Sequence, residues 1–108
     1  MENCVFCKIA KGEIAKEFDY ENEDIMVFPD LHPLRPIHLL IVPKVHIPDF
    51  LDAPDLVLLK IFNTAKKLVR EKKLENKGYR LVINGGGAQI IHHLHLHLLA
   101  PLSSQAKM

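Results

Sequence analysis

The residues best equipped for chemistry lie near the C-terminus, in His93-Leu94-His95-Leu96-His97-Leu98-Leu99. Strict alternation of this kind is the signature of a β-strand with two unlike faces. On such a strand His93, His95 and His97 point one way, and Leu94, Leu96 and Leu98 point the other way, into a core. Same-face neighbours on a strand are roughly 6.5–7 Å apart, so the imidazoles form a row. A helix would scatter positions i, i+2 and i+4 around its circumference. Imidazole exchanges protons near neutral pH and ligates metals. The row therefore reads as a metal site or as a catalytic row that handles an anion such as phosphate. The bland alternative is a half-exposed strand whose polar positions happen to be histidine. One ion held by all three is disfavoured, because the outer pair stands roughly 13 Å apart at Cα, against a coordination shell of ~2.1 Å.

Two cysteines, Cys4 and Cys7, form a Cys-x-x-Cys pair on the first turn of an expected helix. Their thiolates are close enough to share one metal, and structural zinc wants four Cys or His ligands. His46 and His93 would complete a Cys2His2 site from three separated parts of the chain. Spacing alone does not bring the four together, and two free buried thiols are the other reading. A second feature is the loop Asn84-Gly85-Gly86-Gly87-Ala88-Gln89, directly before the histidines. Its glycines permit positive φ and close backbone approach to a ligand, and N–H groups in such loops can cradle phosphate. No Gly-Lys-Ser/Thr follows, so it is not a Walker A loop, and an ordinary tight connection between strands is equally open.

The elements that must position these groups can be read in order. Asn3 can cap a short helix from about Cys4 to Lys11, ended by Gly12. Extended segments at about Glu17–Tyr20 and Ile25–Phe28 flank the polar turn 21–24 and predict a hairpin. Pro29-Asp30-Leu31-His32-Pro33-Leu34-Arg35-Pro36 is a loop stiffened by three prolines. His38–Val42 is a continuous apolar strand, central because both faces look buried. Asp52 is expected to cap a long helix, with Pro54 in its first turn and an apolar stripe at positions 58, 61, 62, 65, 68 and 69. Gly78 ends that region, Tyr79–Ile83 is another strand, and the glycine loop and histidine strand follow. Strands joined by short turns suggest an α+β domain: a mostly antiparallel sheet, a short N-terminal helix and one long helix.

At 108 residues, 48% hydrophobic, the chain fits one domain over 1–108 with a modest core that a metal or a dimer partner would support. A net charge of +1 with dispersed basic residues suggests neither a nucleic acid polymer nor an anionic membrane as partner. No apolar run is long enough to span a bilayer, and the N-terminus lacks the pattern of a secretory signal. A cytoplasmic location is the expectation.

His-φ-His-φ-His-φ-φ, where φ is apolar, resembles the defining motif of the histidine triad (HIT) superfamily. The resemblance extends to Cys4-Val5-Phe6-Cys7-Lys8-Ile9, Gly12-Glu13-Ile14, Phe28-Pro29-Asp30, Pro36-Ile37-His38 and Ile41-Val42-Pro43-Lys44-Val45-His46-Ile47. The chain looks most like the histidine triad nucleotide-binding branch of nucleoside phosphoramidases. A uridylyltransferase branch has Gln at the third histidine, whereas His97 here favours a hydrolase.

The resemblance implies roles. His95 would be the nucleophile that forms a nucleotidyl-histidine, His97 a phosphate-contacting donor and His38 a supporting histidine. Asp30 would accept hydrogen bonds from ribose, although read alone it could be a turn residue. Phe6, Ile9, Phe28 and Leu31, with Val5 and Leu40, would wall the base, and Asn84 and Gln89 would supply amides to the phosphate and leaving group. Zinc would be structural, on Cys4, Cys7, His46 and His93. The implied ligand is a purine nucleotide such as an AMP or GMP derivative. The implied assembly is a homodimer through the long helix and the Tyr79–Ile83 strand. The 84–89 loop is shorter than usual in the family, Ala88 stands where Gly is usual and Ile90 where a Ser is common, so contacts to the leaving group are reduced. His92, on the opposite face from the row, is expected to be structural. A dinucleoside polyphosphate hydrolase and a nucleotide-binding or scaffolding module with little turnover are the competing functions.

Overall fold

The computed structural model describes residues 3–107 and has one five-stranded antiparallel sheet with a helix against each face. In chain order the elements are α1 (Val5–Ala10), β1 (Tyr20–Glu21), β2 (Ile25–Pro29), β3 (Ile37–Pro43), α2 (Asp55–Glu71), β4 (Arg80–Ile83) and β5 (Leu96–Ala100). The sheet order is β1-β2-β3-β5-β4, and every neighbouring pair is antiparallel. No helix is long and apolar enough to cross a membrane among the described residues.

The expected α+β architecture is the observed one, and both faces of the sheet are used. Ile25, Val27, Leu39, Ile41, Leu94, Leu96 and Leu98 pack with Ile61, Ala65, Leu68 and Val69 of α2. Met26, Phe28, Leu40 and Val42 pack on the other face with Phe6 and Ile9 of α1. Strands covered on both faces read as unbroken apolar runs, as β2 and β3 do. Phe62, expected in the buried stripe of α2, is 39% exposed, and the stripe recruits Thr64 instead. The Thr64 hydroxyl is satisfied by donating to the Lys60 carbonyl at 2.8 Å, which makes its burial tolerable.

Several boundaries differ from expectation for identifiable reasons. Cys4, not Asn3, caps α1, its Sγ accepting from the Cys7 N–H at 3.3 Å. The first strand of the hairpin starts at Tyr20 rather than Glu17, and Asn22 Oδ1 closes the turn by accepting from the N–H groups of Asp24 and Ile25. Asp52 does not cap α2, because it belongs to a separate 3-10 turn over Phe50–Asp52, closed by Asp49. Pro54 takes the capping position with extended backbone and no side-chain bond. The far end of α2 needs no glycine. Lys73 adopts φ 57, its N–H donates to the Arg70 carbonyl, and the Leu74 N–H donates back to the Val69 carbonyl at 2.9 Å. This is a Schellman motif, and the burial of Leu74 supplies the apolar contact that accompanies it.

The regular pairing of β5 begins only at Leu96, so His93 and His95 stand just ahead of the ladder rather than within it. Their backbone groups are engaged elsewhere: the Leu94 N–H donates to the Ile47 carbonyl at 2.6 Å and the His93 carbonyl accepts from a side chain. The alternation of faces persists regardless.

Gly78 serves the C-terminal segment. It sits at φ +75, its carbonyl accepts from the Leu102 N–H at 2.9 Å, and a Cβ there would run into the Leu102 carbonyl. Gly12 has a similar φ of +78 but open space around it. Gly12→Ala should therefore cost about 1 kcal/mol, the conformational cost alone, whereas Gly78→Ala should cost at least about 3 kcal/mol because the backbone of Leu102 must also move. Denaturant midpoints of the two variants check this, and equal losses would refute the steric part.

Candidate active site and metal centre

The site is built where the turn into β5 meets β3 and α1. The side chains of His93, His95 and His97 share the face that α1 partly covers, and the ring centroids of His95 and His97 are 4.9 Å apart. His93 is fully buried, His95 is 8% exposed and His97 is half-buried at the edge of the covered region. Among the described residues no buried side-chain polar atom lacks a partner, so each imidazole can be assigned a tautomer from what it faces.

A carbonyl can only accept. His95 Nδ1 lies 2.7 Å from the His93 carbonyl, so Nδ1 carries the proton and donates. In the neutral form, the His95 ring then presents Nε2 with a free lone pair. The same logic runs through its neighbours. The Leu34 N–H donates to His38 Nδ1 at 3.1 Å, which makes Nδ1 an acceptor and leaves the proton on Nε2. His38 Nε2 donates to His97 Nδ1 at 2.9 Å, so His97 keeps its own proton on Nε2. One backbone amide thus fixes His38, and His38 fixes His97 as a donor. Asp30 Oδ2 stands 3.5 Å from His38 Nε2 and its Oδ1 accepts from the His32 N–H, so Asp30 both turns the proline-rich loop and faces the site.

Burial favours these neutral rings. It pushes the pKa of His38 down, and Asp30 offsets this only in part. His97 is pushed down to about 4, first by burial and then by the neighbouring His95 and His38.

The second cluster has the chemistry of a metal centre. Cys4 Sγ is 3.3 Å from His93 Nδ1, and Cys7 Sγ is 3.5 Å from the same nitrogen and 3.2 Å from His46 Nδ1. Sulfur and nitrogen ligands on one tetrahedral zinc would stand roughly 3.5 Å apart, so the set fits such an ion. The tautomers agree. His93 Nε2 donates to the Pro43 carbonyl at 2.7 Å, which turns the unprotonated Nδ1 toward the sulfurs. Without a cation the Cys7 thiol is pushed up to about 11, chiefly by burial and then by Cys4. A pair of thiolates here calls for a positive ion. Asp30, His38 and His97 also offer ligand atoms within 4.8 Å of one another. That set does not suit a metal, because His38 Nδ1 already accepts the Leu34 N–H and its proton must stay on the nitrogen an ion would need.

The remaining expected residues divide. Phe6, Ile9 and Phe28 are nearly fully buried, while Leu31 is 78% exposed beside the Asp30 loop. Asn84 is exposed. Gln89 is 7% exposed and turns inward, its Oε1 accepting from the Gly87 N–H and its Nε2 donating to the Pro48 carbonyl. The Gly86 N–H donates to Asp49 Oδ1 at 3.2 Å and the Ala88 N–H to the Gly85 carbonyl at 3.1 Å, so with Gly87 three of the loop's N–H groups are engaged within the protein. Asp49 was not visible in the sequence as a loop clamp, since an Asp before a short turn reads only as that turn's cap. Gly85 is required beside it: a Cβ there would come 2.6 Å from Asp49 Oδ1. Ile90 is 96% exposed and His92 is exposed, without the structural role expected of it among the described contacts.

Comparison with known proteins decides the family. Residues 3–108 match the family model described as "Scavenger mRNA decapping enzyme C-term binding", a HIT-family domain. The chain belongs to the histidine triad family. It is 32% identical over 103 residues to the purine nucleoside phosphoramidase of Escherichia coli, covering 91% of this chain and 87% of that protein. A crystal structure of a HIT family hydrolase from Legionella pneumophila is 45% identical, with a TM-score of 0.87 over 94% of this chain and 95% of that one. The histidine triad nucleotide-binding protein of Candida albicans is 36% identical, with a TM-score of 0.82 over 89% of this chain and 73% of that one. This HIT-family chain therefore has the fold that its triad motif implied.

The depressed His97 pKa has a consequence for stability. The folded value of about 4 lies below the ordinary 6.5, so between these pH values the unfolded chain binds a proton that the folded chain does not. Stability contributed by neutral His97 is intact above pH 6.5 and declines as the pH falls toward 4. His97→Asn should flatten that part of the profile. Denaturant midpoints at pH 7 and pH 5 should show a smaller drop for the variant than for wild type, and identical drops would refute the assignment.

Proposed function

We propose that this protein is a nucleotide hydrolase of the nucleoside phosphoramidase kind, acting on α-phosphorus-substituted purine nucleotides such as AMP or GMP derivatives. The observation that carries the reading is the His95 Nδ1–H donated to the His93 carbonyl, which leaves Nε2 as a neutral nucleophile. In the first step Nε2 attacks the α-phosphorus, a P–N bond forms, and the bond to the leaving group breaks. A leaving amine departs with a proton taken up on its nitrogen. Water then attacks the nucleotidyl-histidine, releasing the nucleoside monophosphate and restoring His95. One hard displacement becomes two easier ones. His97, held as an Nε2–H donor by His38, stabilises charge developing on a non-bridging oxygen. Asp30, half-buried beside His38, is suited to accept from ribose hydroxyls. The similarity to a named phosphoramidase supports this reading. The inward-turned Gln89 and the exposed Ile90 favour a second one, a nucleotide-binding module with slow turnover.

A substrate panel separates the two readings: an adenosine phosphoramidate, diadenosine polyphosphates and ADP. Hydrolysis of the phosphoramidate alone supports the enzyme, and tight binding without turnover supports the module. Within the enzyme reading, His95→Ala should lower turnover by about three orders of magnitude or more with nucleotide binding largely retained, and His97→Ala by about 10²–10³. Mass spectrometry of a quenched reaction should place the nucleotidyl adduct on His95. Wild-type turnover in His95→Ala would overturn the mechanism.

Structural zinc on Cys4, Cys7, His46 and His93 belongs to the same proposal, and so does a homodimer. The edge strand β4 with exposed Leu81, Tyr79 just before it, and Phe62 of α2 beside it form an apolar surface suited to a second copy. Native mass spectrometry of protein purified without added metal should give twice the chain mass plus two zinc ions. A metal-free monomer at micromolar concentration would sink both parts.

A further inference from the structure

Among the described residues His95 makes one hydrogen bond through its ring, and a single bond leaves the imidazole free to rock about the Nδ1–carbonyl line. Something else must fix the direction of Nε2. Two rings pack against it: His97, with centroids 4.9 Å apart, and Phe6 of α1, at 5.2 Å with planes crossing at 83°. Phe6 also meets the His93 ring at 5.6 Å and 83°, and the Phe28 ring at 5.6 Å. These are edge-to-face contacts, which specify orientation as well as burial. Phe6 itself is 3% exposed, so its ring is already committed to its aromatic neighbours and offers little free surface to a nucleotide base.

We propose that Phe6 is a positioning residue for the reaction, holding the His95 imidazole in the orientation from which Nε2 reaches phosphorus. This goes beyond the base-wall role its place in the sequence suggests, and it rests on the reading of His95 as nucleophile. The placement of Phe6 follows from its neighbours in the chain. A helix of six residues is too short to hold its position by its own hydrogen bonds. Cys4 caps α1 and Cys7 lies one residue beyond Phe6, and their sulfurs meet His93 and His46. The Cys–His cluster therefore fixes α1, and α1 delivers the Phe6 ring to His95. His93 contributes twice, once through its ring against Phe6 and once through its carbonyl on His95.

The test compares Phe6→Leu and the milder Phe6→Met with Met26→Ala, a cavity in the same apolar cluster on β2, which β3 separates from β5. All three weaken the fold, but only the Phe6 variants remove the ring that α1 places against His95. Phe6→Leu and Phe6→Met should lower kcat by about 10- to 100-fold with KM changed less than about threefold, since a misplaced reacting group loses rate more than binding. Met26→Ala should keep kcat within about twofold at a similar loss of melting temperature. Nitrogen NMR of the histidine rings gives a readout independent of turnover. Wild-type His95 should show one protonated Nδ1 and one bare Nε2, and the Phe6 variants should show broadened or averaged signals. If kcat in the Phe6 variants falls no further than in Met26→Ala, or KM rises while kcat holds, Phe6 is core or base wall and the proposal is wrong. If no nucleotide is turned over by any form, unaltered His95 signals in Phe6→Leu overturn it equally. Failure of the nucleophile reading is seen separately, as an adduct that does not map to His95.

Discussion

Everything at this site hangs on the buried imidazole of His93. Its Nε2 donates to the Pro43 carbonyl at the end of β3, its Nδ1 faces the sulfurs of Cys4 and Cys7, and its own carbonyl accepts from His95. One residue thus joins the N-terminal helix, the central strand and His95. A polar ring with no exposure is tolerable only because both nitrogens are occupied. Pro43 has no N–H to contribute to a ladder, and its carbonyl is left for the imidazole. That arrangement also explains why the regular strand stops short of His93: the backbone there serves the site instead of the sheet.

From this anchor the tautomers of the neutral rings in the row follow. Two backbone groups, the His93 carbonyl and the Leu34 N–H, set the tautomers of His95, His38 and His97. The result is a pair of unlike neighbours, a bare Nε2 on His95 and a protonated Nε2 on His97. A nucleophile beside a donor is what attack on a phosphorus with developing oxygen charge requires. The low pKa of His97 keeps it neutral near pH 7, so it acts as a hydrogen-bond donor and not as a fixed cation.

Much of this was legible in the sequence because it follows from periodicity. The His–Leu alternation assigned both faces of the last strand, and the apolar run of β3 indicated burial on two sides. The Cys4, Cys7, His46 and His93 cluster came from residue type. What stayed hidden depends on contacts between distant segments. Asp49 on the glycine loop, Pro54 in place of Asp52 at the start of α2, and Lys73 in place of a glycine at its end have no local signature strong enough to be read. Gln89 has the composition of a ligand-binding amide, yet its partners are the Gly87 N–H and the Pro48 carbonyl, and spacing does not foretell that.

The order of strands has a consequence for how the molecule comes into being. β5 is made last but lies between β3 and β4, which do not touch each other in the sheet. The bond between His38 and His97 spans 59 positions of the chain. During synthesis β4 therefore waits with no neighbour, and β3 with an unpaired edge, until the final strand leaves the ribosome. Pairing over such separations is the slow part of building a small β-rich domain. Here the closing step of folding and the assembly of the reactive centre are one event, so no intermediate lacking β5 can carry the complete histidine row.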